Sequence, residues 1–278
     1  MYVVILIYFC NRYRNVAVAK IKYMNNIHIN EEQIQAQWLA IAQARNDAND
    51  LCVDGLLFRG NIYYKDGCWH RQRGNEETIW ANTERRLLIL TKDLNDDEAW
   101  DIREETGRLN TVAFSYERAI PFYKNLRMWT YLLLKGEAGN VPPYDEARRM
   151  DVVGPFYENA PIARVNVKKQ VGGSSISDAT LMTYLETYAA PLRQQIALYD
   201  ATIIMCCGCS NDRNLILDFV RSQYLPDLQP VSGTGDWIYY SPSTGKIVIN
   251  SYHPSARIGY EDTYCNLAQA YDTALRRL

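Results

Sequence analysis

Four short apolar runs, separated by longer stretches, constrain the fold of this chain more than any other feature. Each run has the length and the β-branched content of a buried strand. The runs span residues 86–91, 162–167, 201–206 and 246–250. Because parallel strands need long crossover connections, usually helices, these intervals suit a parallel arrangement. We therefore predict an α/β fold with three layers, α/β/α, and a mostly parallel central sheet of about four strands.

Polar clusters follow three of these strands at their carboxyl ends. All strands of a parallel sheet deliver their carboxyl ends to one edge, where open α/β sheets bind ligands. We therefore expect three clusters that are far apart in the sequence to converge on one site. The clusters are Lys92, Asp93 and Asn95 after the first strand, Asn166, Lys168 and Lys169 at the second, and His253, Ser255 and Arg257 after the fourth.

The fourth strand ends in a stiff loop that contains a histidine. Pro254 removes a backbone donor and forces His253 into an extended conformation, so the strand stops there. His253 is one of three histidines, and the other two have no comparable setting. Taken alone, this loop could also be a surface turn whose histidine and arginine have no function.

Length and charge limit the class of protein. A chain of 278 residues can bury one sizeable core. Its net charge of −2 argues against a strongly basic nucleic-acid coat protein, although a local basic groove is compatible with it. We predict a single domain over residues 24–278, preceded by an atypical extension over residues 1–23.

The extension contains an apolar run, Val3–Phe9, that is too short to span a bilayer. It also lacks the basic region and the cleavage site of a secretory signal. We interpret it as an extended or misassigned start, with a peripheral membrane anchor as the alternative. We therefore expect a monomeric, cytoplasmic protein without stable membrane association.

Seven cysteines form no even disulfide framework, which favours reduced thiols in an intracellular protein. Cys206 and Cys209 have the spacing of a metal-binding pair, but no second pair completes a site. Cys52 and Cys68 could bind a metal together with His70, although the spacings of zinc sites are normally tighter. We predict no metal and no cofactor.

Periodicity and capping signals outline the elements between the strands. They predict helices over 31–47, 97–108, 111–134, 178–200, 212–223 and 261–278, with Asn30 and Ser177 as caps of the first and fourth and a break near Pro121 in the third. They predict irregular structure or hairpins over 54–75 and a long mobile connection over 136–155. A strand, a turn and a second strand are predicted over 236–250.

Three motifs, Thr91–Asn95, Val165–Val167 and His253–Arg257, together resemble those of the uracil-DNA glycosylase superfamily. Members place a short motif after the first core strand, an asparagine on the next strand, and a His-Pro-Ser loop after the last. The His-Pro-Ser-x-Arg form is most similar to the single-strand-selective monofunctional branch. The resemblance covers roughly residues 80–278. It implies an enzyme that removes uracil or a related damaged base from single-stranded or duplex DNA.

The resemblance implies roles for the residues that act on the base. Asp93 matches the residue that handles the attacking water, and His253 matches the histidine that stabilises the departing uracil anion. Asn166 matches the residue that hydrogen-bonds the edge of the flipped uracil, and Asn95 is a second candidate for the base. This chemistry is coherent, because a donor in a dry pocket stabilises a leaving anion and an amide both donates and accepts.

The remaining candidates would contact the DNA. By the same resemblance, Ser255 would bind a backbone phosphate, and Arg257 would fill the gap that the flipped base leaves in the stack. Lys92, Lys168 and Lys169 supply positive charge at the predicted edge, which suits phosphate binding.

The first motif departs from the family, because Lys92, Leu94 and Asn95 replace residues that are usually glycine or proline. Lys92 could pair with Asp93 and alter water activation, or it could bind a phosphate. Two alternatives to a glycosylase therefore stand: a catalytically silent module that binds nucleic acid or nucleotide, and a nucleotide hydrolase of another kind that shares only the architecture. The aromatic partner of the base is also open among Phe114, Tyr116, Phe122 and Tyr123.

Overall fold

The computed structural model describes residues 26–47, 51–66, 68–92, 94–95, 98–105, 121–173, 175–210 and 213–278. Within this part, the chain is a mixed α/β protein with a mostly parallel central sheet of seven strands. The strands are β1 (Gly55–Leu56), β2 (Ile62–Lys65), β3 (Cys68–Arg71), β4 (Leu87–Thr91), β5 (Leu94–Asn95), β6 (Ile162–Asn166), β7 (Val171–Gly172), β8 (Ile203–Cys209), β9 (Gln229–Pro230), β10 (Ile238–Ser241) and β11 (Lys246–Tyr252).

The central sheet has the order β1-β6-β4-β8-β11-β10-β9. Its four middle strands, β6, β4, β8 and β11, are parallel to one another. The antiparallel strands β1 and β10 flank them, and β9 pairs with β10. The prediction of about four strands in the sheet was therefore too low, because it counted only the parallel ones. Strands β1 and β9 have two residues each, which is too short for a periodic pattern.

Helices lie before, between and after the strands. No helix in the described part of the chain is long and apolar enough to cross a membrane. The helices are α1 (Ile27–Ala44), α2 (Glu76–Asn82), α3 (Pro121–Lys135), α4 (Tyr144–Ala147), α5 (Met150–Asn159), α6 (Asp178–Thr187), α7 (Ala189–Tyr199), α8 (Leu215–Gln223) and α9 (Tyr260–Leu275).

Side chains of the parallel strands alternate between two apolar clusters. Leu88 and Leu90 of β4 pack in one cluster with residues of α1, α2, α6, α7 and α8. Leu87 and Ile89 pack in the other with residues of α3, α4, α5 and α9. This alternation is the two-residue period of a strand that is buried on both faces.

Several sequence predictions are confirmed in the described part. The first two strands match β4 and β6, the segment 54–75 contains the β2–β3 hairpin, and the strand, turn and strand near 236–250 are β10 and β11. Of the helix predicted over 97–108, only a 3₁₀ turn at Ile102–Glu104 lies in the described residues. The expected break near Pro121 lies at the boundary of that part, where α3 begins.

The mobile connection predicted over 136–155 was wrong. The structure has α4 and most of α5 there, and α5 contains Pro155. Pro155 costs one hydrogen bond inside α5, while Met150, Val153 and Tyr157 are buried at helical spacing. Burial of this apolar stripe therefore outweighs the local signal of glycine and proline.

The single helix predicted over 178–200 is two helices. Ser177 caps α6 as predicted, by accepting a hydrogen bond from the backbone of Thr180. The break lies at Tyr188, because Pro191 cannot donate to the carbonyl of Thr187. The predicted start of the first helix was also wrong, because α1 begins after Asn26, four residues before the predicted cap Asn30.

A buried histidine fixes the start of α1 against the core. The Nδ1 of His28 lies 2.9 Å from Glu31 Oε2, and its Nε2 lies 2.7 Å from Glu76 Oε1. Burial alone would lower the pKa of His28, but the hydrogen bonds and charges of the two glutamates outweigh it and raise that pKa to about 9. Glu31 also accepts from Tyr199 and from the backbone of Leu56, so the cluster connects α1 with β1 and α7.

We predict that the protein loses stability as the pH rises from about 6.5 to about 9. His28 is protonated in the folded state over this window and neutral in the unfolded state, so its stabilising contribution is complete below the unfolded pKa and lost above the folded one. The contribution is about 2–3 kcal/mol. Urea unfolding at pH 6.5 and 9.5 measures it, and His28→Gln should remove most of the difference. The same difference in His28→Gln and in the control His70→Gln would contradict this account.

Candidate active site at the carboxyl edge of the sheet

One row of polar residues crosses the four parallel strands near their carboxyl ends. Asn166 of β6 lies opposite Thr91 of β4, Thr91 lies opposite Cys207 of β8, and Cys207 lies opposite Ser251 of β11. All four side chains are fully buried. His253 follows β11 directly, so the ends of β4, β6 and β11 converge at one edge, as predicted.

Three hydrogen bonds hold the loop that carries His253. The backbone N–H of Ser255 donates to His253 Nδ1 over 3.2 Å, and the backbone N–H of Ala256 donates to the carbonyl of His253 over 2.8 Å. Asn125 of α3 donates from Nδ2 to the carbonyl of Pro254 over 2.6 Å, in a fully buried contact. The loop is therefore a fixed turn that holds the imidazole against α3.

His253 is a neutral imidazole at physiological pH. Burial and, to a smaller extent, the positive charges of Arg164 and Lys92 together lower the pKa of His253 to about 4. Since Nδ1 accepts the hydrogen bond from Ser255, the proton of the neutral ring is on Nε2. His253 can thus donate one hydrogen bond to a ligand without carrying a charge.

Sequence reasoning missed a buried arginine beneath this histidine. The guanidinium of Arg164 lies 4.6 Å from the centre of the Phe122 ring, and that ring lies 5.6 Å from the imidazole of His253. Arg164 forms a buried ion pair with Glu105, which also accepts from Tyr157 over 2.8 Å. The available signal was a basic residue in the middle of an otherwise apolar strand.

The amide of Asn166 already has partners within the protein. Its Oδ1 accepts a hydrogen bond from the hydroxyl of Thr91, and its Nδ2 lies 3.8 Å from the sulfur of Cys52. Its backbone N–H donates to Asp54 over 2.9 Å. Asn166 therefore lies at the predicted edge, and one acceptor position and one donor position of its amide are already occupied.

Lys168 and Lys169 do not face solvent, so the expectation that they contact DNA was wrong. Lys169 is fully buried, and its Nζ lies 2.5 Å from Asp54 Oδ1. Lys168 is buried too, and its Nζ donates to the carbonyls of Gln170 and Val171. A buried ammonium needs such partners, and both lysines therefore stabilise the segment after β6.

The other candidates for DNA contact have different surroundings. Ser255 and Arg257 are exposed in the turn after His253, and Lys92 is half-buried at the end of β4. Asp93 lies outside the described residues. The backbone of β5, which includes Asn95, pairs in parallel with β7, and the side chain of Asn95 lies outside the described part.

The described residues do not form a metal site. They contain no group of three histidine, cysteine or acidic side chains that could hold an ion. Cys52 lies beside Asn166, whereas His70 lies 2.6 Å from Glu104. Burial raises the pKa of the Cys52 thiol to about 12, and burial also raises the pKa of Cys206 well above its usual value. Both are therefore thiols that pack in the core.

Comparison with known proteins adds no identity. No family model matches the chain, and no curated protein matches it either.

We predict that Lys169→Met destabilises the protein by about 3–5 kcal/mol, because it leaves the buried Asp54 carboxylate without its counter-ion. Urea unfolding measures the loss. Lys65→Met is the matched control, since the Lys65 side chain is 68% exposed and 3.6 Å from Asp66. We expect that change to cost less than about 1 kcal/mol. Equal stability of the Lys169→Met and Lys65→Met variants would contradict the buried ion pair between Lys169 and Asp54.

We predict that His253 stays neutral, with its proton on Nε2, down to about pH 4. The three histidines make the assignment simple in long-range ¹H–¹⁵N spectra recorded as a function of pH. His28 provides an internal contrast, because it should be doubly protonated at pH 7. Titration of His253 near its ordinary value of 6.5 would show that the loop does not bury the ring as described.

Proposed function

We propose that this protein is a DNA glycosylase that hydrolyses the N-glycosidic bond of uracil or a related damaged base flipped out of DNA. In this mechanism, His253 donates from Nε2 to the departing base as negative charge develops on it. Asp93 positions the attacking water and accepts its proton. The N-glycosidic bond breaks, the base leaves as an anion, and water adds to the sugar carbon.

One observation carries the proposal: a neutral, N–H-donating histidine is fixed at the carboxyl edge of a parallel sheet. A neutral imidazole gains strength as a donor when its acceptor becomes negative, and burial increases the effect. An imidazolium would also donate, but burial and the nearby cations disfavour that form. The surroundings of His253 are therefore suited to negative charge that appears during the reaction.

The order of the motifs along the chain supports the resemblance to the uracil-DNA glycosylase superfamily. Thr91–Asn95 starts on the first parallel strand, Asn166 ends the next one in the sequence, and His253–Arg257 follows the last. Apolar clusters on both faces of the sheet support the three-layer α/β/α arrangement that the resemblance implies. We also propose that the protein acts as a monomer in the cytoplasm.

Exposed residues beside His253 supply the proposed contacts to DNA. Ser255 and Arg257 lie in the same turn as His253, so the DNA backbone could reach both while a flipped base enters the edge. Lys92, whose positive charge lowers the pKa of His253, is the proposed phosphate contact at the end of β4. Asn166 is the proposed contact to the base, which its amide would bind in place of Thr91 and Cys52.

A specific observation favours a second candidate function. The amide of Asn166 is fully buried and has partners within the protein, as expected of a fold that is kept without catalysis. In that case the protein would be a silent module that binds nucleic acid or nucleotide. A nucleotide hydrolase of another kind, with the same architecture, is the third possibility.

We predict that the wild-type protein produces alkali-labile abasic sites in labelled oligonucleotides, and that His253→Ala lowers the rate by about 100–1,000-fold. The substrates contain uracil, hypoxanthine or an oxidised pyrimidine, in single strands and in duplexes. Asp93→Asn should lower the rate by a similar factor. His70→Ala is the matched control, because it removes a histidine from the β2–β3 hairpin and should leave cleavage unchanged.

The outcomes separate the candidate functions. Cleavage that His253→Ala leaves unchanged would remove His253 from the mechanism. If the wild-type protein cleaves no substrate but binds the same oligonucleotides, the silent module is the better account. Abasic product on one base only would define the specificity.

A further inference from the structure

Asn125 connects α3 to the loop that carries His253. Its side chain is almost fully buried, with 3% of its surface exposed. It lies one helical turn after Phe122, and residues three apart share a face of a helix. The Phe122 ring contacts the imidazole of His253, and Asn125 itself bonds to the carbonyl of Pro254. Both residues of this face of α3 therefore border the candidate site.

The hydrogen bond to Pro254 fixes the orientation of the Asn125 amide. A carbonyl oxygen can only accept, so the atom that faces Pro254 must be the NH₂ group. The opposite atom, Oδ1, is buried and has no hydrogen-bond partner in the described part of the structure. A buried acceptor without a partner costs the folded state stability. Such a cost in a folded protein calls for an explanation.

Arg164, which packs on Phe122, has a complementary unpaired atom. Its Nε is a buried donor without a partner among the described residues. By contrast, the Asn166 amide has a partner on its oxygen and another on its nitrogen. Next to Phe122, the buried acceptor without a partner is therefore on Asn125, and the buried donor without a partner is on Arg164.

We propose that Asn125 is a specificity-determining residue, which accepts a hydrogen bond through Oδ1 from a ring N–H of the bound base. This inference rests on the proposed function and assigns its base recognition to a residue outside the three motifs. The ligand class that it selects is a heterocycle with an N–H next to a carbonyl, as in uracil. The carbonyl would take the free donor of Arg164, so that one ligand satisfies both atoms.

The two ends of the Asn125 amide would act on the loop and on the base. Through Nδ2, Asn125 sets the position of the His253 loop, and through Oδ1 it would hold the base against that loop. The base and His253, the donor that stabilises its anion, would then both be positioned by Asn125 of α3. A ligand without the N–H would leave Oδ1 unpaired and would bind more weakly.

The test compares the binding of 1-methyluracil, whose blocked N1 mimics the bond to the sugar, and of 1,3-dimethyluracil, in which a second methyl group replaces the hydrogen on the nitrogen between the two carbonyls. Calorimetry with the wild-type protein should give about tenfold to a hundredfold weaker binding of the dimethylated compound. Asn125→Leu should reduce this ratio to near one. Asn125→Asp should retain a preference for 1-methyluracil, because it keeps an acceptor and loses only the donor to Pro254.

Thr130→Val is the matched control. Thr130 is on the same helix, is fully buried, and also has an unpaired side-chain oxygen. Within the described part of the chain, its hydroxyl forms no hydrogen bond with the His253 loop, so its replacement should leave the ratio unchanged. If only loss of an unpaired polar group mattered, Thr130→Val and Asn125→Leu would have the same effect.

Three results would overturn the proposal: equal binding of the two compounds by the wild-type protein, no binding of either, or a wild-type ratio in Asn125→Leu. If Asn125→Leu does not fold, the wild-type ratio and the Asn125→Asp variant decide. The experiment uses no oligonucleotide, so its failure differs from failure of the proposed function. Selective binding of 1-methyluracil without DNA cleavage would uphold the role of Asn125 and count against the glycosylase.

Discussion

The carboxyl edge of the sheet depends on one buried carboxylate. Asp54 accepts hydrogen bonds from Lys169 over 2.5 Å, from Gln195 over 2.8 Å and from the backbone of Asn166 over 2.9 Å. The three donors belong to the segment after β6, to α7 and to the last residue of β6. A buried charge is tolerated only with such partners, so they are held in one arrangement. The positions of Asn166 and, through the register, Thr91 follow from it.

Two histidines show how opposite surroundings give one residue type different charge states. His28 lies between two carboxylates, which raise its pKa to about 9 despite its burial. His253 is partly buried near Arg164 and Lys92, and its pKa falls to about 4. The first histidine is therefore a cation that joins α1 to the core. The second is a neutral donor at an edge of the sheet, where it remains available to a ligand.

The sequence predicted the parallel strands and their converging ends, because β-branched runs followed by polar residues are local patterns. It could not predict the two-residue edge strands, which depend on partners elsewhere in the chain. It also placed Lys168 and Lys169 on the surface, since charge near a strand end usually faces water. Their burial depends on Asp54 and on the carbonyls of the segment after β6. No local pattern of residues encodes such distant pairing.

Unpaired buried atoms are not by themselves marks of a site. Thr130 has one on the same helix as Asn125, but among the described residues its hydroxyl forms no hydrogen bond to the carboxyl edge. Asn125 differs because the other half of its amide fixes the loop of His253. A functional explanation is needed where the same side chain has an unpaired buried atom and also sets the position of a reactive group. Base recognition at Asn125 would meet that condition, because the ligand supplies the missing partner only when it lies beside His253.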